Sequence, residues 1–294
     1  MSVGLLPFQA SAALPGVRHV VVIGCDGMSP RGVIKANTPN MRKLMQEGAY
    51  TMHARGVMPT SSSPNWASMI MGAGPEQHGV TSNEWETNKF EIPPICTGIG
   101  VMFPTIFGVL REQSPNAIIA CFHDWDGFGR LLEPQAPNVL KHVKDAIETS
   151  ATAIKYFKSD KPDFMFVHFD SVDHAGHGFG WDTDTYSKAV EMVDSLIGEI
   201  IQAIKESGEG DSTILLVTAD HGGKGTSHGG PTIGELEIPW ILHGPNVAKG
   251  KELKLPVNTY DTAATLAFIF QIKPPACWIA KPIKEAFNIP ATQP

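Results

Sequence analysis

Apolar residues fall along this chain in two alternating patterns. Short runs rich in branched aliphatics read as buried strands: RHVVVIGCDG (18–27), 51–58, AIIACF (117–122), DFMFVHF (163–169), TILLVTA (213–219) and IPWILHG (238–244). Between them lie segments with helical marks. Residues 38–48 open on Thr38, carry Pro39 in the first turn and stop at Gly48, and 63–74 has Pro64 just inside its start. Further helices are expected near 138–158, 182–206 and 259–272. Strands alternating with helices predict an α/β fold with a mostly parallel central sheet and helices on both faces. Residues 84–104, rich in Pro, Gly and aromatics and without a period, read as a small inserted lobe. With no repeat or linker in view, 17–294 reads as a single domain.

Composition narrows the class. The 294 residues are 42% hydrophobic and 18% charged, ordinary for a globular domain, and the formal charge is −7. No basic excess exists to release counterions from a nucleic-acid polymer, which argues against such a partner. Small phosphorylated substrates remain open, because a local metal charge can outweigh the global field. No run of eighteen apolar residues is present, so no membrane span is expected. The stretch MSVGLLPFQASAALPG (1–16) resembles the tail of a secretory leader or a loose arm, which points to a periplasmic or secreted protein. Cys25, Cys96, Cys121 and Cys277 are widely spaced with no C-x-x-C, so a zinc knuckle is not expected, while one or two disulfides remain open.

Polar clusters follow four of the strands: Asp26, the hydroxyl-rich residues 60–63, the cluster in FDSVDHAGHGFG (169–180), and Asp220-His221 in VTADHGGKGTSHGG (217–230). Open α/β sheets bind ligands at the carboxyl ends of their strands. Asp173 and His177 share a helical face, as do Asp170 and His174, and either pair could grip an ion. A lone Asp or His at a strand exit is more often a cap than a ligand. Six of them at four exits, in Gly-rich loops that allow close approach, point instead to metal. Carboxylates mixed with imidazoles suit zinc, with manganese or iron as substitutes, and the donors are too many for one tetrahedral ion. His53, His78, His123, His142 and His168 lack such company and are read as structural. Cys25 is read as a buried strand residue.

CDGM (25–28), PTSSSPNWASMIMGAGPEQHGVTSN (59–83), DHAGHGFG (173–180) and TADHGG (218–223) together resemble the alkaline phosphatase superfamily, and within it the type I phosphodiesterase/nucleotide pyrophosphatase family. The pieces appear in that family's order over most of the chain. The resemblance implies an alkaline-phosphatase-like catalytic domain hydrolysing phosphodiesters or nucleotide pyrophosphates with two zinc ions. It places the nucleophile two residues before the Pro of the Pro64-Asn65 pair, at Ser62, and gives a phosphoserine intermediate. Asp26, Ser62, Asp220 and His221 would hold one ion, and Asp173, His177 and His228 the other. Asn83, after His78-Gly79, would hold a non-bridging oxygen with the Ser63 N–H.

Two departures stand out. His228 lies only seven residues past His221, where the family often places a cap-like insertion before its last ligand. With no large cap, the substrate pocket is expected from the 84–140 region. His243 is the alternative ligand, set in an apolar strand run. Sulfatase chemistry is disfavoured because no Arg follows Ser62-Ser63-Pro64 in the maturation pattern. No Arg lies near any motif in sequence, Arg55 and Lys224 being the local basic residues, which favours a diester monoanion over a monoester dianion. Phosphonate hydrolase and phosphomonoesterase stand behind, then a mutase and a non-catalytic metal-binding module. The filled ligand set argues against the last of these.

Overall fold

The computed structural model describes residues 13–288, so the leader-like stretch 1–16 lies almost wholly outside the described residues. Eight strands form one sheet: β1 His19–Cys25, β2 Ala49–Arg55, β3 Ile119–His123, β4 Val139–His142, β5 Phe164–Phe169, β6 Thr213–Thr218, β7 Glu237–His243 and β8 Lys251–Glu252. Their order is β4-β3-β5-β1-β6-β7-β2-β8. The run from β4 to β6 is parallel, and β7 runs antiparallel to both β6 and β2. Every residue of β1, β5 and β6 is buried, the mark of strands covered on both faces.

Alternation along β1 shows the two layers. The His19 ring meets Phe157 of the helix Ala146–Asp160 edge-on, with centroids 5.3 Å apart. Gly24, of opposite parity, faces Trp66 of the helix Ser62–Met71. Helices therefore cover both faces. A Cβ at Gly24 would stand 2.6 Å from the Trp66 ring, so only glycine lets that indole lie flat against the strand.

Two expected boundaries shift. The strand placed at 51–58 runs Ala49–Arg55, and the chain beyond it bends into the loop before Ser62. The helix expected near 138–158 is a short strand followed by a helix. Val139–His142 pairs with β3 at the sheet edge, and Asp145 then caps Ala146–Asp160 by accepting from the Glu148 N–H. A four-residue, half-exposed edge strand gives too little apolar run to be seen. The lobe 84–104 carries no named helix or strand, and a Cys96–Cys277 disulfide ties it to the C-terminal segment. Cys25 and Cys121 are buried free thiols.

Because β1, β5 and β6 run side by side in parallel, their exits coincide. Cys25 pairs with Phe169, and Gly24 with Thr218, which sets Asp26, Asp170 and Asp220 at neighbouring strand ends. Gly24→Ala should force Trp66 off this surface and lower stability by about 1–3 kcal/mol, the usual cost of overpacking a filled core. Urea unfolding measures it, and an unchanged midpoint would show that the indole shifts freely.

Candidate metal centre

Asp26 is 1% exposed, and its backbone N–H is fixed on Phe169 O at 2.8 Å. Its Oδ2 accepts from Trp66 Nε1 at 2.9 Å and from His168 Nε2 at 3.3 Å. Its Oδ1 has no hydrogen-bond partner and lies 3.4 Å from His221 Nε2. Asp220 repeats the arrangement. Oδ1 accepts from the Gly27 N–H at 3.1 Å, while Oδ2, unpartnered, stands 3.2 Å from His221 Nε2. In both residues one oxygen is held by the protein and the other is aimed into a common space.

Three imidazoles are set by the same device. His221 Nδ1 donates to Gly222 O at 2.8 Å, His177 Nδ1 to Thr226 O at 3.0 Å, and His228 Nδ1 to Thr60 O at 2.9 Å. A backbone carbonyl only accepts, so each ring carries its proton on Nδ1 and turns a bare Nε2 inward. The His177 and His228 Nε2 atoms stand 3.1 Å apart. Two lone pairs at that distance repel unless a cation or a proton lies between them. Anchoring the far nitrogen is how proteins orient metal-ligating histidines.

His228 reaches this position because the chain doubles back after His221. Lys224 N–H donates to Ser227 O at 2.9 Å, and Ser227 N–H returns to Lys224 O at 3.2 Å. Gly223 lies against Trp181, where a Cβ would come within 2.2 Å of the indole. Thr60 fastens the loop, with Oγ1 donating to Gly230 O at 2.7 Å and accepting from Gly229 N–H at 3.0 Å.

The carboxylates crowd one another. Asp173 is pushed up to about 9 by burial and by the charges of Asp26 and Asp170. Burial and then the charge of Asp26 push Asp220 well above the carboxylate range. Burial acts to raise Asp26 too, but hydrogen bonding to His168 and the neighbouring imidazoles bring it down to about 2. Burial draws His221 down to about 4. Among the described residues the ion-pair partners of Asp26, Asp173 and Asp220 are all histidines. Divalent cations would satisfy this set: bare Nε2 atoms, unpartnered carboxylate oxygens and an excess of negative charge.

Two groups emerge. Ligand atoms of Asp26, Asp220 and His221 lie within 4.8 Å of one another, as do those of Asp173, His221 and His228. His177 joins the second group, its Nε2 being 3.3 Å from Asp173 Oδ2. Ser62 Oγ sits 3.2 Å from His221 Nε2, at the first turn of the helix Ser62–Met71. Asn65 shapes that turn: its Oδ1 accepts from the Val57 N–H at 2.6 Å, and its Nδ2 donates to Ser61 O at 2.9 Å and to Pro59 O at 3.0 Å. Asn83 Oδ1 accepts from the Ser63 N–H at 2.8 Å, so the two groups expected to hold a phosphoryl oxygen are paired with each other.

Some expectations need correction. His168, read as structural, is fully buried between Asp26 and Asp124 and touches the ligand set directly. Burial alone would lower it, but hydrogen bonds to Asp124 and Asp26 raise it to about 9. Arg130, distant in sequence from every motif, donates through Nη2 to Asn83 O, so an arginine does stand beside the site. Asp170 also approaches, its ligand atom within 4.8 Å of those of Asp26 and Asp173, while His174 of the rejected pair is exposed. Thr60, one of the hydroxyl-rich residues 60–63, holds the His228 loop. His168 and Arg130 lie outside the sequence motifs and are brought beside the site by the fold. His243, on the neighbouring strand β7, pairs with Leu215 near the start of β6, toward the opposite end of the strands from Asp220, and does not join the candidate ligands.

Comparison with known proteins supports the family and the fold. The family model described as type I phosphodiesterase / nucleotide pyrophosphatase matches residues 20–99 and 109–235. Ectonucleotide pyrophosphatase/phosphodiesterase family member 3 of Rattus norvegicus is 23% identical over 227 residues, covering 71% of this chain. The match spans 25% of that relative, about a quarter of its length. Among solved structures, an inactive variant of murine ectonucleotide pyrophosphatase/phosphodiesterase 5 in complex with AMP superposes with a TM-score of 0.74 at 16% identity, covering 88% of this chain and 96% of that one. A mutant of the alkaline phosphatase PafA gives 0.79 at 12% identity, covering 94% and 100%. At these identities the likeness is one of fold.

Among the candidate ligands His228 departs most in placement from the family pattern, and zinc binding tests it. His228→Ala should lower affinity for one of two ions by at least about tenfold, since it leaves two protein ligands where catalytic zinc keeps three. His243→Ala should change neither. Metal analysis after equilibrium dialysis distinguishes them, and two ions retained in His228→Ala would refute the assignment.

Proposed function

Because the chain belongs to the type I phosphodiesterase/nucleotide pyrophosphatase family, we propose that it hydrolyses phosphodiesters or nucleotide pyrophosphates through a phosphoserine on Ser62. The observation that carries this reading is the position of Ser62 Oγ, 3.2 Å from His221 Nε2 at a helix start, beside six converging candidate ligand side chains. Two divalent cations, zinc by donor type, held by Asp26, Ser62, Asp220 and His221 and by Asp173, His177 and His228, would supply the positive charge that activates the hydroxyl and offsets the phosphoryl oxygens.

The chain's own residues do the rest. Ser62 Oγ forms the bond to phosphorus as the bond to the leaving oxygen breaks, and water later cleaves the phosphoserine. The positive end of the Ser62–Met71 helix, which no Ser61 side chain caps, favours an anion there. A non-bridging oxygen would take the Ser63 N–H from Asn83 Oδ1, and Asn83 would turn its amide Nδ2 to the same oxygen. Asn65 keeps Ser62 in line by stapling the preceding loop.

The substrate in this reading is a small phosphorylated molecule, not a nucleic-acid polymer, in keeping with the net charge of −7. AMP in the murine structural neighbour supports a nucleotide. The Cys96–Cys277 disulfide supports an oxidising compartment, periplasmic or extracellular. Among the described residues no helix is long and apolar enough to cross a membrane.

Arg130 favours a second reading. A guanidinium beside Asn83 adds the positive charge that a monoester dianion needs, so phosphomonoesterase activity stands as the alternative.

Ser62→Ala should abolish phosphoenzyme formation and lower turnover of bis-p-nitrophenyl phosphate by about a thousandfold or more, as loss of a nucleophile does elsewhere. EDTA should remove wild-type activity, with zinc restoring it better than magnesium. Wild-type turnover in Ser62→Ala, or activity that survives exhaustive chelation, would end the proposal. Arg130→Ala decides between substrates. If the monoester reading holds, kcat/KM for p-nitrophenyl phosphate should fall by about tenfold or more relative to the diester, the worth of a charged hydrogen bond. An unchanged ratio would remove the second reading.

A further inference from the structure

Behind the ligands lies a buried pair that meets both groups. Asp124 follows the end of β3, with its side chain 4% exposed. Its Oδ1 faces two donors: His168 Nδ1 at 3.4 Å and the backbone N–H of Asp170 at 2.8 Å. The two contacts lead in different directions. His168, fully buried on β5, passes through its ring to Asp26 Oδ2 at 3.3 Å. Asp170 is the N-cap residue of the helix Ser171–Phe179, which carries Asp173 and His177.

The His168 ring is clamped and cannot choose another partner. Trp66 meets it edge-on at 4.9 Å, Phe128 lies against it at 4.9 Å, and Trp125 stacks at 6.2 Å. Between them, His168 and the Trp66 N–H engage Asp26 Oδ2 and leave Oδ1 as its one open oxygen. On the other branch, the Asp170 N–H contact fixes where the Ser171–Phe179 helix begins, hence where Asp173 and His177 point. Sheet order makes this possible, since β3, β5 and β1 are neighbours and deliver Asp124, Asp170 and Asp26 from adjacent exits.

We propose that Asp124 is a positioning residue shared by both halves of the metal centre, aiming Asp26 through His168 and the Asp173–His177 helix through the Asp170 N–H. This rests on the two-cation reading of the site. Outer-shell partners of metal ligands contribute about 10- to 100-fold in affinity when removed, and here one carboxylate would serve two ions.

Zinc affinity of the full chain, measured by competition with a chromophoric chelator, tests it. Asp124→Ala should weaken both ions, each by about 10- to 100-fold. His168→Ala should weaken one ion by a similar factor and leave the other unchanged. A loss confined to one ion in Asp124→Ala, or none, would overturn the proposal. Should Asp124→Ala fail to fold by near-ultraviolet circular dichroism, Asp124→Asn decides. It keeps the Oδ1 acceptor that both donors use and removes only the charge that strengthens both hydrogen bonds, so it should weaken both ions together, and a loss confined to one ion, or none, would overturn the proposal. A wild-type chain that binds no zinc would sink the two-cation reading itself, and this inference with it, which separates the two failures.

Discussion

Repulsion among carboxylates brought to neighbouring strand exits is the constraint around which this molecule is organised. Asp26, Asp170, Asp173 and Asp220 converge on one space, and among the described residues histidines are the only ionic partners of Asp26, Asp173 and Asp220. A hydrophobic core would not tolerate such a cluster unless its charge were answered. The structure leaves the answering positions open. Each imidazole is locked by a carbonyl on its far side, and Asp26, Asp173 and Asp220 each keep one oxygen unengaged. Folding energy from the apolar layers thus holds together a cluster whose charge divalent cations could answer.

The same logic explains why the ligands' supports come from so many places. Asp26 is steadied by an indole from the far helix layer and by a histidine from the next strand. The His228 loop is fastened by Thr60, and the turn before Ser62 by Asn65. His221, held on the neighbouring Gly222 carbonyl, is the exception among these side chains. A displacement in one layer is therefore felt across the centre.

Most of the fold and most of the candidate site were legible in the sequence. Buried parallel strands announce themselves as apolar runs, and residues that act at strand exits sit next to those runs, as Asp26, Asp173, His177, Asp220, His221 and His228 do. Two kinds of information were hidden. Edge strands such as Val139–His142 are too short and too exposed to leave a pattern. Residues that act through others, namely His168, Asp124, Thr60 and Arg130, gain their roles only from sheet order. In sequence His168 is one more residue of the run MFVHF, and Arg130 stands 47 positions from the Asn83 it touches.

The Cys96–Cys277 crosslink has a consequence for chain topology. It joins positions separated by 181 in sequence, and Asp173, His177, Asp220, His221 and His228 all lie inside that covalent ring, while Asp26, Ser62 and Asn83 lie on the N-terminal arm outside it. A protease that cuts once anywhere in the ring, for instance at the exposed turn around Lys224, divides the polypeptide without separating its pieces. The nicked protein keeps its mass on a non-reducing gel and falls into two bands only when a thiol is added. In a protease-rich surrounding, nucleophile and ligands would stay tethered after the backbone between them had been broken.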